Sequence, residues 1–168
     1  CDNGCGTKNT VVDKGSKKTN PSQSPKIKIG QKLQNSVGVR CAITGKNTAE
    51  CIGYVGKKNS VTIPPSLKYM GVTYQITSIK TKAFSGNKNL RSIVIPSSIR
   101  TIGSQAFFKC KNLKKITIKT PYLSKKTVGA KAFKGIHAKA KIKVPKKQKK
   151  AYQKLLKAKG AGKKVTIK

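Results

Sequence analysis

Acidic side chains are nearly absent from this chain of 168 residues, and histidine is scarce as well. Asp and Glu together number 3 and His numbers 1, against 39 Lys and Arg residues. General acid and base catalysis needs histidines or carboxylates that are held together. Beyond the first 29 residues the chain offers only Glu50 and His137, which we expect at opposite ends of the fold. The sequence therefore predicts that the protein is not an enzyme.

Metal-ligand and cofactor motifs are missing too. Cys1 and Cys5 have a spacing that suits a soft metal, but no second pair of ligands follows at the spacing of structural zinc sites. The glycines are scattered and form neither a phosphate-binding loop nor a dinucleotide-binding fingerprint. We therefore expect neither a metal nor a cofactor.

The positive charge, in contrast, is extreme. A net charge of +36 attracts polyanions through the summed field, and salt screens that attraction. Only Arg40, Arg91 and Arg100 are arginines, tryptophan is absent and aromatics make up 5% of the chain, which disfavours base reading and base stacking. Non-specific nucleic-acid binding is thus the less favoured alternative. The simplest alternative is a solvated lysine-rich surface without a specific anionic ligand.

Long apolar runs are absent, since no stretch approaches the about 18 residues of a transmembrane helix. The chain begins at Cys1 without an initiator Met or a signal peptide, as expected of a processed or trimmed chain. A first Cys followed by a polar tether resembles a mature bacterial lipoprotein, in which that Cys carries the lipid. An ordinary fragment boundary is the alternative. A lipid on Cys1 would be the protein's only attachment to a membrane.

What the sequence does contain is a repeat of 23 residues between Ile79 and Ile118. The apolar positions recur as the pairs Ile79/Ile102, Ala83/Ala106, Phe84/Phe107, Leu90/Leu113, Ile93/Ile116 and Ile95/Ile118. The alternation at the end of each copy predicts a short strand, and the Ala-Phe segment before it predicts a short helical turn. Neither element buries its apolar face alone, so stacked copies are expected.

The segments on either side of the repeats have their own patterns. Alternating apolar residues from Val37 to Val55 predict a β-hairpin around Lys46, and Tyr69 to Tyr74 predicts a smaller hairpin. In the simplest register Cys41 faces Cys51, which predicts a disulfide, with two buried thiols as the alternative. A third, degenerate copy ends near Pro145. An amphipathic helix follows, with its apolar stripe on Ala151, Tyr152, Leu155 and Leu156 and its end at Gly160, and 165–167 predicts a last strand.

The repeat I-x-x-x-A-F-x-x-C-x-x-L-x-x-I-x-I-P closely resembles the BspA-like (Treponema pallidum type) leucine-rich repeat. The motif is carried by Ile102, Ala106, Phe107, Cys110, Leu113, Ile116 and Ile118, by 79–96 in the preceding copy, and by the Ile-Pro steps at Pro64 and Pro96. Asn87 departs from the motif, which has Cys there. The resemblance implies an α/β solenoid on an exported or cell-surface protein, used in adhesion or other macromolecular binding, without catalytic residues.

The expected architecture is a short right-handed leucine-rich repeat stack with an N-terminal β-hairpin cap and a C-terminal helix-strand cap. We divide the chain into a flexible tether (1–29), the hairpin cap (30–60), the repeats (61–145) and the C-terminal cap (146–168). The alternative for the helix is binding to an anionic membrane.

The polar positions between the buried strand residues indicate where a ligand would bind. In register they read Ser60 and Thr62, Ser92 and Val94, Lys115 and Thr117, Lys141 and Lys143, then Lys164 and Thr166. The face therefore changes from hydroxyls to lysines towards the C-terminus. This predicts an anion site at Lys115, Thr117, Lys141 and Lys143 for an acidic polysaccharide, a teichoic acid or a host surface protein. Lysines that only keep an exposed sheet soluble are one alternative, and a capping end of a longer repeat protein is another.

Overall fold

A computed structural model describes residues 28–168. The predicted lipid attachment at Cys1, the role of Cys5 and almost all of the predicted tether lie outside the described residues. The elements, in chain order, are strands β1 (Lys32–Gln34), β2 (Val39–Gly45), β3 (Thr48–Tyr54), β4 (Ser60–Thr62), β5 (Ser66–Tyr69), β6 (Val72–Ile79), β7 (Ser92–Ile95), β8 (Thr101–Ile102), β9 (Lys115–Ile118) and β10 (Lys141–Lys143), a 3-10 helix (Lys146–Gln148), helix α1 (Lys149–Ala158) and strand β11 (Thr166–Ile167).

One strand of each repeat joins a five-stranded parallel sheet in the order β11-β10-β9-β7-β4. Between β7 and β9, paired residues are 23 apart in the sequence, as in Ile93 opposite Ile116. Between β9 and β10 they are 26 apart, because the third copy is longer, with Ile116 opposite Ile142. These isoleucines are at most 1% exposed. The alternation of the sequence therefore places one face of this sheet against the core and the other face outwards.

The segment before each strand is a series of hydrogen-bonded turns rather than the predicted helical turn. Lys82, Gln105 and Lys131 have φ values of 60°, 56° and 55°, and a left-handed residue at this point stops a right-handed helix from propagating. The turn amides instead bond to the next repeat, as from Phe84 N to Ala106 O at 2.8 Å and from Phe107 N to Ala132 O at 2.9 Å. The turns thus form a second ladder along the stack.

The aromatic rings of the three copies form a column inside the stack. Phe84 and Phe107 stack with ring centroids 5.3 Å apart, and Phe107 and Phe133 stack at 5.4 Å. All three rings are at most 2% exposed. The degenerate third copy therefore keeps the aromatic position of the regular ones. Because the column lies on the turn side and the isoleucines lie on the strand side, the core runs continuously between the two ladders.

A second, six-stranded sheet carries the N-terminal region. The predicted hairpin is confirmed as β2 and β3, which pair antiparallel with Cys41 opposite Cys51. The smaller predicted hairpin is β5 and β6, closed by Met70 and Gly71 with positive φ, as a two-residue turn requires. Strand β6 pairs with β3 on one side and with the short strand β8 of the repeats on another. The N-terminal hairpins are thereby continuous with the repeat stack, which sequence inspection does not predict.

Helix α1 covers the C-terminal end of the core. Tyr152, Leu155 and Leu156 are buried as predicted, whereas Ala151 is exposed, which corrects its assignment to the apolar stripe. The hydroxyl of Tyr152 donates to Thr120 O at 2.8 Å and accepts from Leu123 N at 3.0 Å. The chain leaves the helix at Gly160, whose φ is 101°, as is common after helices. Strand β11 then pairs with β10.

Candidate ligand-binding face

The outward face of the parallel sheet carries the predicted site residues in adjacent rows. Lys115 lies opposite Lys141, and Thr117 lies opposite Lys143. Neighbouring strands are about 4.8 Å apart, so each row places its side chains at roughly that spacing. Lys115, Lys141 and Lys143 are exposed and Thr117 is half-buried. The sheet therefore brings together all four residues that the sequence predicts, and whether they bind an anion stays a prediction.

The last strand of this face differs from the predicted register by two residues. Thr166 lies opposite Lys141 and Ile167 opposite Ile142, so the predicted rung of Lys164 and Thr166 becomes one of Thr166 and Lys168. Lys168 N donates to Ile142 O at 2.9 Å, and Val144 N donates to Lys168 O at 2.8 Å. Sequence reasoning missed Lys168 because Val165 and Ile167 both fit the buried position. Both residues are β-branched, so the sequence carries no signal that distinguishes the two registers.

Lys115, Thr117, Lys141, Lys143 and Lys168 line a shallow groove of about 180 Å³. We call these residues the lysine face. Glu50 is the one acidic side chain of residues 28–168, and its Oε1 lies 3.4 Å from Lys80 Nζ, on the other sheet. The lysine face consequently has no carboxylate side chain of its own to neutralise it. Mutual repulsion of closely spaced ammonium groups favours a bound anion.

The opposite end of the same face is lined by hydroxyls and is not basic. Ser60 pairs with Ser92 and Thr62 with Val94, and Ser92 then pairs with Lys115. The predicted change from hydroxyl to lysine along the sheet is present in the observed register. A long acidic polymer that lies across the strands would therefore meet its strongest electrostatic attraction at β9, β10 and β11.

Glu50 and His137, the acidic and histidine side chains that the sequence offers for catalysis, lie on different elements of the fold. Glu50 lies on β3 in the six-stranded sheet, whereas His137 is half-buried in the loop before β10, where its Nδ1 accepts a hydrogen bond from Lys139 N at 3.2 Å.

Within residues 28–168 there is no group of three or more His, Cys, Asp or Glu side chains that is placed to hold a metal ion. In the same part of the chain, no helix has the length and apolarity needed to cross a membrane.

The cysteines of the repeats and the hairpin have different surroundings. Cys110 is fully buried, its Sγ donates to Phe84 O at 2.9 Å, and burial raises its pKa to about 11. Asn87, which replaces the motif cysteine in the preceding copy, instead accepts hydrogen bonds from the amides of Asn89 and Leu90 in its own loop. Cys41 and Cys51 are free thiols that face each other across the hairpin. A disulfide between them stays a prediction.

Comparison with known proteins gives a family match over most of the described chain. Residues 59–168 match the family model described as "BspA type Leucine rich repeat region (6 copies)". This range includes helix α1 and strand β11 as well as the repeats. No curated protein sequence matches the chain.

Two solved bacterial structures share the fold. A leucine-rich cell surface protein from Faecalibacterium prausnitzii A2-165 is 23% identical, with a TM-score of 0.54 over 74% of this chain and 38% of that chain. A leucine-rich repeat protein from Bacteroides capillosus ATCC 29799 is 18% identical, with a TM-score of 0.54 over 82% of this chain and 98% of that one. A third, from Bacteroides ovatus ATCC 8483, is 28% identical over 64% of this chain and 34% of that one, with a TM-score of 0.49. The chain thus spans well under half the length of the first and third.

Proposed function

The chain belongs to the BspA-type leucine-rich repeat family, and from this premise we propose that it is a non-enzymatic binding or adhesion module of the cell surface or the extracellular medium. Its ligand in this proposal is an acidic macromolecule: an acidic polysaccharide, a teichoic acid or an acidic region of a host surface protein. The similar protein from Faecalibacterium prausnitzii is a cell surface protein, which supports the location.

The observation that carries the proposal is the lysine face. Lys115, Lys141 and Lys143 lie on the adjacent strands β9 and β10, and Lys168 directly follows β11 on the same groove. A row of ammonium groups at strand spacing suits a polymer with repeated charges better than it suits a single small anion. The lysine ammonium group is a compact charge and lacks the planar fork of the arginine guanidinium group. Lysines therefore suit a ligand recognised by its density of negative charge better than one recognised by the geometry of its bases or phosphates.

We also propose that the two ends of the stack are closed, as in a short right-handed solenoid with a hairpin cap and a helix-strand cap. At one end β3 pairs with β6 and leaves the hairpin outermost. At the other end Phe133 N donates to Lys159 O at 3.0 Å, so the C-terminal end of α1 takes the place of a further turn. This arrangement would protect the terminal repeats from solvent, as short repeat arrays require.

The test is a binding panel of acidic glycans, teichoic acid, random DNA and a neutral glycan at about 0.15 M salt, where weak long-range attraction is screened. The triple variant K115A/K141A/K143A is compared with K88A/K111A/K125A, whose lysines are exposed in loops. Both variants lose the same net charge, so a difference between them reports the site rather than the overall field.

We expect the first triple variant to lose roughly 3-fold to 160-fold in affinity, from about 0.2–1 kcal/mol for each exposed charge contact. The loop variant should change affinity by less than about 2-fold. Equal losses in the two variants would contradict the site. Binding of DNA with the highest affinity of the panel at the same salt would favour the nucleic-acid alternative instead.

A further inference from the structure

The facing cysteines of the hairpin occupy register positions whose usual spacing suits a disulfide. Cys41 on β2 and Cys51 on β3 are direct partners in the antiparallel register. Residues directly opposite on such strands have Cα atoms about 4.5–5.5 Å apart, which lies within the range that disulfides span. Cys41 is 2% exposed and Cys51 is 0% exposed. The register therefore aligns the two thiols, and little of either side chain is exposed to solvent.

The two thiols of the pair are not equivalent in position. Cys41 belongs to the wall of a groove of about 420 Å³ that lies between the β1–β2 edge and β5. Leu33, Leu67 and Tyr69 are among the other residues of that wall. Both thiols belong to the buried core, but Cys51 is absent from this lining. A small molecule in the groove would meet Cys41 first and would have no direct path to Cys51.

The two thiols also differ in acidity. The side-chain hydrogen bond between them lowers the pKa of Cys41, against the opposing effect of burial, whereas the same bond and burial both raise the pKa of Cys51. Thiolate is the form of cysteine that attacks disulfides. The acidity thus points to the same thiol as the groove does. Cys110, with its pKa raised to about 11 by burial, is the unreactive comparison within the same chain.

We propose that Cys41 and Cys51 are a thiol–disulfide exchange site, in which the Cys41 thiolate attacks an oxidant in the groove and Cys51 resolves the product into an intramolecular disulfide. The oxidant is a small organic disulfide, for which oxidised glutathione is the probe. The Cys41 thiolate bonds to one sulfur of the oxidant, and the other half leaves as a thiolate that takes up the Cys41 proton.

In the second step the Cys51 thiol gives up its proton and its sulfur attacks Sγ of Cys41. The mixed disulfide breaks and the second half of the oxidant leaves as a thiol. Overall, two protein thiols lose two electrons and two protons, and one small disulfide becomes two small thiols. The site does not depend on any ligand of the lysine face.

The sequence itself makes the product easy to identify. Trypsin cleaves after Arg40, Lys46 and Lys57, so Cys41 and Cys51 fall in the separate peptides 41–46 and 47–57. Cys110 falls in a third peptide, 110–111. The reduced full-length chain is incubated with oxidised glutathione, its remaining thiols are alkylated, and the digest is analysed by mass spectrometry without reduction.

The expected product is peptide 41–46 joined to peptide 47–57 with the loss of two hydrogens, while peptide 110–111 carries no glutathione adduct unless the chain is denatured before oxidation. In Cys51→Ser, the glutathione adduct should accumulate on Cys41. In Cys41→Ser, an adduct on Cys51 should form at least about 10-fold more slowly. Circular dichroism of both variants checks that they fold.

Recovery of free, alkylated Cys41 and Cys51 from the oxidised wild-type chain would overturn the proposal, and this result needs no variant. Linkage of either residue to Cys110, Cys1 or Cys5 as the main product would also overturn it. Equal adduct rates on the two single variants would overturn the assignment of Cys41 as the entry point.

Discussion

The column of Phe84, Phe107 and Phe133 allows the coupling between neighbouring repeats to be measured. Phe107 stacks on a ring at 5.3 Å on one side and at 5.4 Å on the other. Phe84 and Phe133 are separated by it and share no contact in the column. The perturbation is replacement by Leu, which keeps a large apolar side chain in the core and removes the ring.

The magnitudes follow from the number of ring pairs that each variant removes. An aromatic pair contributes about 0.5–1.5 kcal/mol beyond its buried area. Phe107→Leu removes two pairs, so about 1–3 kcal/mol, whereas Phe84→Leu removes one. With the packing cost of the smaller side chain common to both, we expect Phe107→Leu to lower the free energy of unfolding by about 0.5–1.5 kcal/mol more than Phe84→Leu.

The assay is urea unfolding followed by circular dichroism, with the slope m checked for each variant. Double-mutant cycles then separate the interaction energy between two rings from the effect of each single substitution. Phe84→Leu with Phe107→Leu should show a coupling of about 0.5–1.5 kcal/mol. Phe84→Leu with Phe133→Leu, the matched control, should be additive within about 0.5 kcal/mol. A coupling in the control pair as large as that of the adjacent pair would refute the nearest-neighbour interpretation of the stack.

Two further substitutions test other parts of the structure by the same measurement. Gly103→Ala should lower the free energy of unfolding by about 1–3 kcal/mol or more, because the added Cβ would overlap the backbone nitrogen of Thr81. The control Gly162→Ala, whose Cβ would have its nearest neighbour at 3.9 Å, should change the free energy of unfolding by no more than about 0.5 kcal/mol. Equal effects of the two substitutions would contradict the close approach at Gly103. Tyr152→Phe should cost about 1–3 kcal/mol near neutral pH because Thr120 O and Leu123 N lose their partner, and Tyr122→Phe, whose ring still lies under Arg100, is its control. Burial raises the pKa of Tyr152 in the folded state. The contribution of Tyr152 to the free energy of unfolding is therefore complete below the unfolded pKa of about 10 and declines as the pH rises through the folded pKa. A stability difference between wild type and Tyr152→Phe that grows in alkali would refute this.

The strand half of each repeat is well predicted from the sequence because period-two alternation reports directly on burial. Ile93, Ile95, Ile116 and Ile118 pair as expected. The turn half is less well predicted, since apolar residues spaced three or four apart in the Ala-Phe segment fit both a helix and a series of turns. Only the backbone at Lys82, Gln105 and Lys131 distinguishes the two, and Lys and Gln are not residue types that indicate positive φ.

For the candidate site, the residues that can be predicted from the sequence are those whose strand register is unambiguous. Lys115, Lys141 and Lys143 were correctly placed together because their neighbours Ile116 and Ile142 have no competing partner. Lys168 was missed because a shift of two residues keeps the same face buried. The groove beside Cys41 was beyond sequence reasoning, since it is formed by β5, which is distant in the chain from β1 and β2.

The backbone bonds between successive turns have a consequence for how such a chain changes in length. Each inner layer donates amide hydrogens towards one neighbour and presents carbonyl oxygens to the other, as Phe84, Ala106, Phe107 and Ala132 show. A tandem duplication of residues 92–114 would therefore insert a layer that finds matching donors and acceptors on both sides. The sheet would grow by one strand spacing, about 4.8 Å. Gene duplication can thus lengthen the surface in fixed steps while the chemistry at each seam is preserved.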